Sequence, residues 1–334
     1  DGFRVAVLAQ PDWRSADAFA AMGRPRYGAL VGAGNLDSMV AHYTAAKKPR
    51  SDDAYSPGRK AGLRPDRASI VYANRAREAF PGLPVIIGGL EASLRRFAHY
   101  DYWEDKVRRA VLFDAGADLL VYGMGETATR ELAARLRRGE PAGALTDIRG
   151  TAYIAPDPSG CPFETALCAP YEEVSADKRK YAQAAMLQYD EHDPVRGRAV
   201  VQRCAGRALV VNPPQPPLTT QEFDRVSGLP YARTWHPMYE KDGGVPAIEE
   251  VRFSIIHNRG CFGACSFCSL AFHQGRMVAS RSHASVLKEA EGFVGEPDFK
   301  GYIHDVGGPT ANFRRPSCAH QLKNGLCRDK SCLG

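Results

Sequence analysis

Residues 251–268 read Val251-Arg252-Phe253-Ser254-Ile255-Ile256-His257-Asn258-Arg259-Gly260-Cys261-Phe262-Gly263-Ala264-Cys265-Ser266-Phe267-Cys268. The apolar, β-branched start predicts a strand over 251–256. A Cys- and Gly-bearing loop over 257–276 follows it. Ser282 or Ser285 then starts a helix through Phe293, and a strand over 302–305 ends at Gly307-Gly308. This is one βαβ unit, the opening of a barrel that would need many such units. Inside the loop, Cys261, Cys265 and Cys268 are spaced C-x3-C-x2-C. Three thiolates this close can be aimed at one point, and Gly260 and Gly263 give the backbone the freedom to wrap. Ferredoxin-type loops use C-x2-C-x2-C with a fourth cysteine nearby. Structural zinc prefers four ligands in paired C-x2-C units. The next cysteines here, Cys204 and Cys318, lie far along the chain. A three-ligand metal site leaves one position open for chemistry. The competing reading is a structural zinc loop or buried thiols.

Upstream, strand and helix patterns alternate. Strands are expected over 4–9, 29–33, 69–72, 85–88 and 118–122, and helices over 37–48, 74–80, 102–115 and 127–138. That alternation predicts an α/β fold with a parallel sheet, Rossmann-like, over residues 1–155. Ligands of open α/β sheets sit at the carboxyl ends of the strands. A connecting region is expected over 156–245. It holds a helix from Ser175 to about Tyr189 with Tyr181, Ala185 and Leu187 inward, a strand over 208–211 and a stiff proline-rich linker over 212–217. Residues 246–334 begin the barrel. Gly123-Met124-Gly125-Glu126-Thr127-Ala128 fits G-x-G-x-x-A. Asp147 has the spacing of a dinucleotide acid but precedes the strand expected over 153–155 instead of ending it, so a plain strand–helix turn is favoured. His99 to Trp103 form a polar-aromatic patch, read as an Asp101 helix cap in preference to a substrate contact.

The chain has 334 residues, 44% hydrophobic and 25% charged, with a net charge of 44 − 38 = +6. This excludes wholesale disorder and is too long for one ordinary domain. The mild charge permits RNA or acidic substrates without arguing for them, so nucleic acid stays open as a partner. No stretch approaches the ~18 apolar residues of a membrane span, and the start has no signal-peptide pattern. No membrane partner and a cytoplasmic location are therefore expected. There, nine cysteines serve better as metal ligands or buried thiols than as disulfides. Asp1 at the start and Cys332-Leu333-Gly334 at the end give the expectation of a fragment.

With its aromatic Phe267, the cysteine loop resembles that of the radical S-adenosylmethionine (SAM) superfamily. The resemblance implies a 4Fe–4S cluster on Cys261, Cys265 and Cys268, with SAM chelated through its amino and carboxylate groups. Phe267 would pack beside the adenine. Gly307 and Gly308, in Asp305-Val306-Gly307-Gly308-Pro309-Thr310, resemble the glycine pair that contacts the SAM amino group, with Pro309 where an acidic residue is usual. Arg281 is read either as a carboxylate ligand or as a solvated arginine at a helix start. His257, His273 and His304 are read as hydrogen-bonding residues.

Longer segments resemble the YgiQ-type radical SAM proteins: Ala9-Gln10-Pro11-Asp12-Trp13, Ala33-Gly34-Asn35-Leu36-Asp37-Ser38-Met39, Gly88-Gly89-Leu90-Glu91-Ala92-Ser93-Leu94-Arg95-Arg96, Ala98-His99-Tyr100-Asp101-Tyr102-Trp103, Arg259-Gly260-Cys261 and Gly307-Gly308-Pro309-Thr310-Ala311-Asn312. Members of that family are longer than this chain. The resemblance implies reductive cleavage of SAM, an unknown substrate and an electron donor such as flavodoxin or ferredoxin. The N-terminal domain resembles cobalamin-binding, flavodoxin-like domains. The D-x-H-x-x-G cobalamin signature is absent from these residues, so cobalamin stays an unsupported option. Cys318, Cys327 and Cys332 are a candidate second metal site, zinc or an auxiliary cluster, weighed equally against free thiols on a basic loop. Cys161, Cys168 and Cys204 are expected to be packing residues. The rival functions are a tRNA-modifying, methylthiotransferase-like radical enzyme and a non-catalytic zinc-binding module.

Overall fold

A computed structural model describes residues 2–308 and 315–327. The chain divides into two compact units: residues 1–51 with 61–215, and residues 52–60 with 216–334. The boundary after Gln215 puts residues 156–215, read above as part of a connecting region, inside the first unit.

The first unit carries strands β1 (Ala29–Gly32), β2 (Val85–Gly88), β3 (His99–Asp101), β4 (Lys106–Arg108), β5 (Leu119–Val121), β6 (Thr151–Ala155), β7 (Thr165–Cys168), β8 (Ala199–Cys204) and β9 (Arg207–Val211). Seven of them form one sheet in the order β1-β2-β5-β6-β9-β8-β7. The expected parallel sheet is found only in part. The pairs β1–β2, β2–β5 and β7–β8 are parallel. The pairs β5–β6, β6–β9 and β8–β9 are antiparallel. A two-residue turn, Ala205-Gly206, explains the antiparallel hairpin. Both residues have positive φ, at 49° and 74°, as a hairpin matched to strand twist requires. The core beneath the sheet joins Ile86, Leu119 and Val121 to Ala128 and Leu132 of the helix Glu126–Arg137, and to Tyr153, Val201 and Val210.

Several local expectations fail for identifiable reasons. Residues 69–72 are helical, inside Ala68–Ala79. The buried positions Ser69, Tyr72, Ala73 and Ala76 recur at helical spacing, so the apolar run has period 3.6 and not 2. Residues 4–9 pair with no strand among the described residues, and Val5 remains 79% exposed. The helix expected over 37–48 is only Ser38–His42, capped by Asp37. Residues 102–115 are not one helix. Asp101 is not a helix cap: its Oδ1 accepts from the backbone N–H groups of Trp103 and Glu104, both at 3.0 Å, and turns the chain into the β3–β4 hairpin. Only Val111–Ala115 is helical there. The later helix runs Lys178–Glu191 under an Asp177 cap, with Ala184, Gln188 and Glu191 buried in place of the expected face. Asn212, Pro213 and Pro214 are packed and not a free linker. Gly150 N donates to Pro213 O at 2.8 Å, and Arg149 Nε donates to Pro214 O at 3.0 Å.

The second unit holds β10 (Ser254–Ile256), β11 (Asn258–Arg259), β12 (Ala279–Ser280) and β13 (Asp305–Gly307). β10 and β13 are parallel, and the helix His283–Val294 lies between them in sequence. Its core is Phe253, Ile255 and Phe293 with Val286, Ala290 and Phe299 packed on it. The Phe253 ring meets Phe293 at 5.4 Å and Phe299 at 5.1 Å, both edge-on, the geometry aromatic quadrupoles favour. Among the described residues no helix is long and apolar enough to cross a membrane.

Candidate functional site

β10 and β13 run side by side, so their carboxyl ends emerge together. Ile256 is paired with Gly307, and His257 N donates to Gly307 O at 2.9 Å. This brings the strand before the cysteine loop beside the first glycine of the Gly307-Gly308 pair. The chain then pairs β11 with β12 antiparallel, Asn258 with Ser280 and Arg259 with Ala279. Gly260 follows with φ +84°, and a β-carbon there would meet Met277 O at 2.0 Å. No other residue fits, so the strand and its partner approach as closely as backbones can. Gly260 N donates to Gln274 Oε1 at 3.0 Å, and Cys261 N to Gly275 O at 3.1 Å. The base of the loop is thereby closed.

Within the loop, a β-carbon on Gly263 would stand 3.4 Å from Cys261 Sγ and 3.9 Å from Cys265 Sγ. Both sulfurs therefore lie beside Gly263, where a β-carbon would meet them in ordinary van der Waals contact. Cys268 N donates to Cys265 O at 2.9 Å and tightens the turn. Phe267 is 90% exposed. Among the described residues no three His, Cys, Asp or Glu side chains converge as a set for one metal ion. The loop thus brings two of the three thiols to one glycine, with Cys268 close in sequence.

Arg281 is not the solvated residue of one expectation: it is 3% exposed. Its guanidinium donates to Ser285 Oγ at 2.8 and 3.1 Å, to Ser285 O at 3.0 Å, to Ile256 O at 3.0 Å and to Glu289 Oε2 at 2.5 Å. Glu289 is shared with Arg233 at 2.6 Å. Ser282 caps the helix by accepting from Ser285 N, as expected from the sequence. Cys318 is exposed, at the start of the helix Ala319–Asn324, and Cys327 is half-buried. Cys332 and Pro309 lie outside the described residues.

A polar knot in the first unit went unread in the sequence. It joins the segments Ala33–Met39 and Gly88–Arg96 at the carboxyl ends of β1 and β2. Glu91 is buried and accepts from Ser38 N at 2.8 Å, Ser38 Oγ at 2.6 Å and Ser69 N at 2.9 Å. Asp37 caps Ser38–His42 and pairs with Arg95. Arg96 is fully buried over the Tyr122 ring at 4.5 Å, and burial pushes its pKa down to about 10. Arginine and glutamate in one motif were the available signal, because such residues are buried only when partnered. Gly125 lies against Val121, where a β-carbon would come within 2.8 Å of its Cγ1, and Asp147 pairs with Arg135 at 2.5 Å. Those contacts favour the plain strand–helix turn. Cys168 and Cys204 are buried, Cys161 half-buried. Burial pushes the Cys168 thiol up to about 11, which makes it a packing group and a poor ligand.

A family model described as Radical SAM N-terminal matches residues 1–254. The chain belongs to that family. With the relatives that follow, it is a YgiQ-type radical SAM family member. A "UPF0313 protein" of Clostridium botulinum (strain ATCC 19397 / Type A) is 55% identical over 333 residues, covering 100% of this chain and 52% of the relative. One from Clostridium perfringens (strain 13 / Type A) is 54% identical over 332 residues, covering 99% and 50%. This radical SAM chain therefore spans about half the length of the curated relatives it matches. A solved structure of the radical S-adenosylmethionine methyltransferase TsrM from Kitasatospora setae, with tryptophan substrate and a SAM analog bound, has 18% identity. Its TM-score is 0.41, covering 88% of this chain and 38% of that one. Another structure of TsrM, with cobalamin and a [4Fe-4S] cluster bound, gives a TM-score of 0.40.

Proposed function

We propose that this chain belongs to a radical SAM enzyme that holds a 4Fe–4S cluster on Cys261, Cys265 and Cys268 and reductively cleaves SAM, acting on a substrate still to be identified. The observation that carries this reading is the loop itself. Two thiols lie beside Gly263, the third follows the next turn with its N–H on Cys265 O, and the loop leaves a strand whose parallel neighbour ends at Gly307. Soft thiolates suit an iron–sulfur cluster. When bound, the cluster would supply the electron that cleaves SAM to methionine and a 5′-deoxyadenosyl radical.

The chain's own residues bind and orient. The Gly260 clamp fixes where the loop departs. Gly307 and Gly308 offer backbone close to the loop without side-chain bulk, which suits a bound amino acid moiety. Phe267 offers an exposed ring for stacking on an adenine. Arg281 is committed to Ser285, Glu289 and Ile256 and acts as support. These residues would open a partial barrel completed by further βα units.

Anaerobic reconstitution of the intact protein with iron and sulfide tests the reading. The expected result is a brown protein with a cluster EPR signal on reduction, lost when Cys261, Cys265 and Cys268 are all replaced by Ala. A signal that survives the triple replacement contradicts it, provided Cys318, Cys327 and Cys332 have been replaced separately. One zinc and no iron would instead indicate a structural module.

A further inference from the structure

We infer that Arg281 is a positioning residue for the cysteine loop, acting from behind it through the backbone of Ile256 and His257. The inference rests on the cluster reading above. Arg281 is a nearly fully buried cation in the second unit. Its guanidinium donates to the carbonyl of Ile256, the last residue of β10, and its backbone N–H donates to the carbonyl of His257 at 2.8 Å. These two carbonyls immediately precede β11, Gly260 and Cys261. The other donors fasten the same guanidinium to Ser285 and Glu289 of the helix His283–Val294. Glu289 is held in turn by Arg233, whose guanidinium lies 4.7 Å from the centroid of the Phe293 ring in the core. Ser282 N donates to Asp224 Oδ1 at 2.9 Å, which fixes the start of that helix.

One planar fork therefore joins the strand end that launches the loop to the helix that follows it. A lysine could keep the charge opposite Glu289. It has no fork to reach Ile256 O and Ser285 at the same time. Groups that orient metal ligands from behind commonly change metal retention when removed.

The test uses the intact protein, anaerobically reconstituted, as wild type, Arg281→Lys and Arg281→Gln. Iron release to a chelator, the EPR spectrum of the reduced cluster and the urea midpoint are measured together. The expected result is that Arg281→Lys still folds, with a urea midpoint lowered less than that of Arg281→Gln because the charge opposite Glu289 is kept, releases iron roughly tenfold faster and shifts the EPR g-values. Arg281→Gln should release iron at least as fast and also unfold at lower urea, because Glu289 loses a buried partner. Wild-type release rates and spectra in Arg281→Lys overturn the inference: a defect confined to Arg281→Gln would be ordinary loss of fold. A wild type that takes up no iron–sulfur cluster overturns the cluster reading and this inference with it.

Discussion

The Glu91 knot and the cysteine loop, one in each compact unit, are alike as sequence. Each is a short glycine-bearing motif after a strand, dense in reactive side chains. As structure they differ. Glu91, Asp37, Ser38 and Arg95 are buried and bonded to one another or to helix N–H groups. In the loop, backbone bonds clamp the base, while Cys265 and Phe267 stand at the surface. A motif whose polar atoms satisfy each other is architecture. A motif that fixes its backbone and keeps Cys265 and Phe267 at the surface is the one that, on the reading proposed above, would take a ligand. A charged residue in a motif is therefore read best by what its donors and acceptors already hold.

This contrast can be broken by substitution. The largest effect is expected from Gly260→Val: a side chain cannot coexist with Met277 O, so iron uptake should be abolished while the melting of the first unit is unchanged. Retained iron would show that the loop tolerates another departure. Next, Glu91→Ala should cost about 3 kcal/mol of stability, because three donors lose a buried carboxylate, with iron per folded chain unaltered. Urea unfolding and iron analysis check both halves, and a loss of iron with preserved stability would erase the distinction.

A smaller, pH-dependent effect belongs to His99. Burial pushes its pKa from 6.5 down to about 4, with Nδ1 at 3.0 Å from Phe97 O. The folded imidazole stays neutral where an unfolded one takes up a proton. The unfolded state binds more protons between about pH 6.5 and about pH 4, so stability should fall as pH drops through that window. His99→Asn should flatten this part of the urea-midpoint profile, and an unchanged slope would refute the assignment. Smallest is Cys168→Ala, expected to cost about 1 kcal/mol for a buried group and to leave iron content untouched.

Much of this was legible in residues. The strand Val85–Gly88, the helix Glu126–Arg137 and the Ser282 cap follow from local pattern and need little from elsewhere. The cysteine spacing singled out the loop as a candidate site, but the backbone clamp at its base was not legible, because Gln274, Gly275 and Met277 meet it from further along the chain. The helical residues 69–72 were misread because four residues cannot separate period 2 from period 3.6. The strands β7 and β8 were missed, and the antiparallel direction of β5–β6 and β6–β9 was not legible either, since pairing direction is a long-range property. The Glu91 knot and the Arg281 fork escaped for the same reason: their partners are distant in sequence or hidden in backbone carbonyls. Arg281 has the sequence context of a surface residue at a helix start, and only its contacts with Ile256 and Glu289 make it a brace.

The central claim is tested most directly by product analysis. The intact, reconstituted and reduced protein should convert SAM to 5′-deoxyadenosine and methionine. The protein with Cys261, Cys265 and Cys268 replaced by Ala should form neither. Equal formation of 5′-deoxyadenosine by both, or none by a wild type that demonstrably carries its reduced cluster, would contradict the account.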